Sequence, residues 1–158
     1  MHTDRLSRLA EILTAQHALC QQLIACADKQ REAIRERRPP VIEETAREQE
    51  QLFTELTQWE EERLDLLGAD GPSLNAIIEQ APAPWRERLT ALGRQVRAAL
   101  EAFMEKNRLN QRLLEQELAL IGLYLSVLSP GDGGEVYNHP RSRRRQSSAG
   151  PLAFDARV

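Results

Sequence analysis

The chain has 158 residues, 41% of them hydrophobic, 28% charged and only 4% aromatic, with a formal net charge of −3. Its 23 leucines against five valines and seven isoleucines exclude a β-rich fold, because strands are enriched in β-branched and aromatic residues. The length is that of one domain, the absence of any run of about 18 apolar residues excludes a membrane span, and the usage of Glu, Gln, Arg, Ala and Leu is that of long amphipathic helices.

The first periodic run starts near Asp4 and is stopped by the pair Pro39-Pro40. Leu6, Leu9, Leu13, Gln16, Cys20, Leu23, Ala27, Gln30 and Ile34 alternate by three and four, the spacing of a coiled-coil seam. This predicts a helix of roughly 35 residues and about 50 Å. Cys20 and Cys26 lie six apart, about 9 Å on a helix, too far for a disulfide, and so read as buried thiols.

Proline is tolerated in a helix's first turn, so a second helix starts directly after the pair. Ile42, Thr45, Gln49, Leu52, Leu56, Trp59, Arg63 and Leu66 form its seam, and it closes at Gly68 before the Gly71-Pro72 breaker. Glu60, Glu61 and Glu62, like Arg35, Arg37 and Arg38, read as solvated helix faces rather than as catalytic groups. Ser73 caps a short helix through Glu79, and Ala81 to Pro84 interrupts it.

The last helix is predicted from about Pro84 to Ser129. One face carries Leu89, Leu92, Val96, Leu100, Phe103, Asn107, Asn110, Leu114, Leu118, Ile121, Leu125 and Leu128, with four-residue steps where three would keep register, which locally unwind a supercoil. Gly93 and Gly122 weaken it, so it is expected to bend or fray. It exceeds the second helix by some 17 residues, about 25 Å, and must overhang at its C-terminal end unless the short helix takes up the difference. Asn107 and Asn110 are seam polar residues that fix register, with Gln49 and Arg63 as hydrogen-bond partners. If Arg63 is buried it needs an acid such as Glu117.

Residues 118–128, Leu-Ala-Leu-Ile-Gly-Leu-Tyr-Leu-Ser-Val-Leu, are apolar all round. A bundle helix needs one buried stripe, so the surplus must be covered by the first helices, a second subunit or an exchanging partner. Beyond Pro130 the composition changes. Residues 1–129 carry 16 basic and 21 acidic side chains and residues 130–158 five arginines against three acids, giving −5 and +2. The tail, with four of the eight glycines and three of the eight prolines, is expected to be flexible. Tyr137, Leu152 and Phe154 stand out in it as docking anchors.

The expected architecture is therefore all-α: an elongated antiparallel bundle of three long helices with one short connecting helix over residues 1–129, and a flexible basic tail over 130–158. His2, His17 and His139 are scattered and no nucleotide or nucleophile motif occurs, so neither an enzyme nor a metal or cofactor is expected.

Three stretches in order resemble the FlgN family of flagellar type III export chaperones: Trp59-Glu-Glu-Glu-Arg63-Leu; Lys106-Asn107-Arg-Leu-Asn110-Gln-Arg-Leu113-Leu114-Glu; and the apolar run to Leu128-Ser-Pro130 followed by Tyr137 in a tail. The resemblance implies a cytoplasmic chaperone that binds helical terminal segments of the hook-associated proteins FlgK and FlgL, prevents their premature association and delivers them to the flagellar export gate and its ATPase components. It implies no nucleic-acid partner and no membrane insertion, and a monomer or weak homodimer. Surplus apolar surface places client binding at Leu114, Leu118, Ile121, Tyr124, Leu125 and Leu128. Tyr137 matches a tail tyrosine thought to engage the export apparatus, although Asn138-His139-Pro140 follow it where the family often has glycine. Two readings compete: a coiled-coil adaptor forming a stable homodimer, and a nucleic-acid-associated protein using Arg141 to Arg145.

Overall fold

A computed structural model describes residues 2–68 and 70–128. They form four helices, α1 (His2–Arg35), α2 (Pro39–Leu67), α3 (Leu74–Gln80) and α4 (Ala83–Leu128), and no strand occurs among the described residues. The expected all-α class holds. The tail, with Tyr137, Leu152, Phe154 and Arg141 to Arg145, lies outside the described residues.

Helix α1 is the one both other long helices touch. Its predicted seam is buried at Leu6, Leu9, Leu13, Gln16, Cys20, Leu23, Ala27 and Ile34, but so are Ile12, Leu19, Cys26 and Ala33. These four recur every seven residues and form a second stripe, which widens the buried face enough to serve two neighbours. Helix α2 buries only Thr45, Gln49, Leu52, Leu56, Arg63 and Leu67. Helix α4 buries Leu89, Val96, Ala99, Leu100, Phe103 and Asn110.

Cross-helix hydrogen bonds set the directions. Arg5 donates to the Leu66 carbonyl near the start of α1, and Cys26 Sγ to the Thr45 carbonyl towards its end, so α2 runs back along α1. Lys106 pairs with Asp28 at 2.7 Å and, further along each segment, Glu117 pairs with Arg37 at 2.9 Å, so α4 runs alongside α1 in the same direction; between them Asn110 Nδ2 donates to the Ala27 carbonyl at 2.8 Å. Phe53 of α2 meets Phe103 of α4 edge to face, with centroids 5.5 Å apart.

The prolines do not end α1. It stops at Arg35, four residues before Pro39, through a C-terminal motif in which the Arg38 N–H bonds the Ala33 carbonyl at 2.9 Å and Arg37 adopts φ 54°. Pro39 and Pro40 instead occupy the first turn of α2, where their missing N–H groups cost nothing. At the other end, Gly68 has φ 84°, and a Cβ on Gly71 would lie 1.8 Å from the Leu67 carbonyl oxygen, so both glycines are required by the turn. Ser73 then caps α3 by accepting from the Ala76 N–H, and Leu74 is buried beside Gly93 of α4.

Arg63 is buried, as its seam position requires, but its acid is not Glu117. Glu60, one turn earlier, accepts from Arg63 Nε at 2.9 Å and from Nη2 at 2.6 Å, and its Oε2 also accepts from buried Gln16 at 3.1 Å. Glu60 is therefore not a solvated residue, whereas Glu61 and Glu62 are exposed. Local i, i+3 spacing satisfied the guanidinium before any distant acid was needed. Glu117 pairs with Arg37 instead, at 2.9 Å. Asn110 takes its partners from α1, the Ala27 carbonyl and Gln30 at 3.4 Å, while Gln49 reaches the same Gln30 at 3.5 Å. Gln30 thus links the two polar seam residues that the spacing pairs directly. Asn107 is only half-buried.

Candidate functional site

The Arg37–Glu117 pair fixes where α4 passes the α1–α2 turn. Eleven residues of α4, 118–128, continue past it, about 16 Å at the helical rise. The surplus length is thus expressed at the C-terminal end of α4, because α3 packs near Gly93 at the opposite end and takes up none of it.

The sequence builds this overhang as a helix without a polar side. Ser126, its one clearly polar side chain, is exposed but spends its hydroxyl proton on the Leu123 carbonyl at 2.7 Å. Leu118, Leu120, Ile121, Leu123, Tyr124, Leu125, Val127 and Leu128 are all exposed, from 48% at Ile121 to 78% at Val127. Scattered exposed leucines are ordinary, but a contiguous set of eight large apolar side chains on one helix end marks an interaction surface.

A turn of 100° per residue divides the set. Leu118, Ile121, Leu125 and Leu128 continue the face that α1 covers further back at Val96, Leu100, Phe103 and Asn110. Half-buried Leu114 is the last residue of that face before the overhang. Tyr124 flanks it. Leu120, Leu123 and Val127 lie on the opposite side, in line with half-buried Leu109 and Leu113. Of the predicted client-binding residues, five are exposed together on the overhang and Leu114 sits at its base; Tyr137 lies outside the described residues. Three-four spacing marks only the front stripe; Leu120, Leu123 and Val127 lie off it, although the same apolar run contains them.

Nothing in this surface is suited to catalysis. Residues 118–128 hold no ionisable group other than the Tyr124 phenol. Among the described residues no group of three or more His, Cys, Asp or Glu could hold a metal, and no helix is long and apolar enough to cross a membrane. Cys20 and Cys26 lie far back in α1, where burial pushes both thiols up to about 11, the Glu48 carboxylate adding to the effect at Cys26. The overhang presents apolar side chains on all sides, with the Tyr124 phenol its one ionisable group.

Comparison with models of protein families matches FlgN protein over residues 1–145. No curated protein and no solved structure matches the chain.

Proposed function

The chain belongs to the FlgN family of flagellar export chaperones, and from that premise we propose that it acts in the cytoplasm, holding FlgK and FlgL by helical terminal segments until they reach the export gate. One observation supports this most: the exposed front stripe Leu118, Ile121, Leu125 and Leu128 continues a face that α1 buries elsewhere. A client helix laid there takes the place α1 would fill if it ran further. It adds a helix to a groove by the i, i+3, i+4, i+7 spacing common to such recognition. Leu114 and Tyr124 border the same seat.

A chaperone of this kind has to cover apolar client surface while the client waits, then release it. An exposed helix end suits that task, since the contact is made by side chains on a single element and leaves the rest of the fold intact. Tyr137 and the segment after it then engage the export apparatus, so capture and delivery reside in different parts of the chain.

Co-purification with FlgK and FlgL from the same cell tests the seat. Leu118→Asp and Ile121→Asp should each abolish capture with helical content by circular dichroism unchanged; undiminished capture by both variants would remove the assignment. Deletion of residues 137–158 should leave capture intact and impair export of the clients.

A further inference from the structure

The base of the overhang is basic. Residues 31–38 hold four arginines and two glutamates, a net +2, which the pairing of Arg37 with Glu117 of α4 reduces to +1. Arg35, Arg37 and Arg38 are exposed, and their acids Glu32, Glu117 and Glu36 engage them one apiece at 3.6, 2.9 and 3.0 Å. Exposed pairs of this kind hold their partners weakly. Arg31 is different: its Nε is buried and has no hydrogen-bond partner. A buried donor left unmatched is costly; the Arg31 side chain as a whole is only half-buried, and a carboxylate is the acceptor a guanidinium takes best.

Resting on the client-binding reading above, we propose that the segment seated on Leu118, Ile121, Leu125 and Leu128 is an amphipathic helix with carboxylates at the end that meets Arg31, Arg35 and Arg38. Other occupants answer the charge less well. The chain's own residues 130–158 carry five arginines against three acids and share the collar's sign. A second copy offers residues 118–128, which bear no charge and leave the arginines unanswered. An acidic-ended helix matches both features at once, its apolar face on the stripe and its carboxylates on the collar. The arginines then select among apolar helices and orient the chosen one, the usual work of charge at an interface.

The test uses the full chain and two synthetic 21-residue helices with one shared Leu/Ile stripe, ending in three glutamates or in three lysines. By titration calorimetry the acidic peptide should bind about tenfold tighter in dilute buffer, and the preference should collapse once salt shortens the screening length to about 3 Å. The variant Arg31→Gln/Arg35→Gln/Arg38→Gln should lose the preference while binding the lysine peptide no worse; Arg37 is kept because it caps α1. Equal affinities at low salt, a preference for lysine, or binding of neither peptide would overturn the proposal, and the salt arm decides on the unmodified chain even if the variant folds poorly. Capture of FlgK and FlgL is a separate readout: capture with no peptide preference removes the collar and leaves the chaperone, whereas peptide preference without capture does the reverse.

Discussion

Removing the carboxylate of Glu60 should destabilise this fold more than removing the arginine it serves. The Arg63 side chain is 4% exposed and that of Glu60 15%, and both bonds between them are short. In Glu60→Ala the guanidinium stays buried without an anion, and Gln16, 1% exposed, loses its acceptor as well. Breaking a buried pair from the side that leaves the buried ion costs about 3–5 kcal/mol. In Arg63→Met the remaining Glu60 needs only a rotation to reach water, and the methionine fills part of the vacated volume, so about 1–2 kcal/mol is expected. With a urea slope of about 2 kcal/mol/M, Glu60→Ala should lower the unfolding midpoint by roughly 1.5–2.5 M, followed by helical circular dichroism. The double variant Glu60→Met/Arg63→Met should recover most of that loss, because two apolar side chains carry no desolvation penalty. Equal costs for the two single variants, or a Glu60→Ala loss under about 1 kcal/mol, would refute the view that Arg63 is a buried cation dependent on one neighbour.

Gly93→Ala should raise stability by about 0.5–1 kcal/mol, since an added Cβ meets only Leu74 Cδ2 at 3.7 Å and alanine is the better helix former; a lower melting temperature would show that α3 sits tighter on α4 than these distances state. Cys20 and Cys26 should react with a thiol reagent at native pH only on unfolding, and a fast reaction of the folded chain would contradict their burial. Their raised pKa values also set a sign. The folded thiols hold protons that the unfolded chain gives up above about 9, so stability should be intact below pH 9 and fall as pH rises towards 11. Cys20→Ala/Cys26→Ala should show a shallower decline over that window, measured by urea unfolding.

The four helices were legible because their signals are local. Three-four spacing, the Ser73 cap and the Gly68 stop place them to within a few residues. The end of α1 was not, because the turn is made by Arg37 in a left-handed conformation that glycine usually takes. The second stripe Ile12, Leu19, Cys26 and Ala33 is less legible, since only Ile12 and Leu19 are large apolar residues and Cys26 reads as a buried thiol without marking a face. The seam position of Arg63 suggests an acid across helices, whereas its partner lies one turn away, and that of Glu117 depends on a turn geometry that no periodicity encodes. The overhang was half legible. Helix lengths gave a surplus of some 17 residues where eleven pass the Arg37–Glu117 pair, and the apolar run gave its chemistry, but the choice of end required the register that Lys106 and Asn110 set against α1.

The account stands most directly on where a client lies. Amide hydrogen exchange of the full chain, measured alone and with saturating FlgL, reads this without any substitution. The eleven residues beyond the Arg37–Glu117 pair expose their large apolar side chains and should open more easily in the free protein than the packed part of α4. Binding should slow exchange strongly over residues 118–128, more weakly around 31–38, and leave residues 50–100 unchanged. Protection centred on α2 or α3, with 118–128 exchanging as fast as in the free chain, would contradict it.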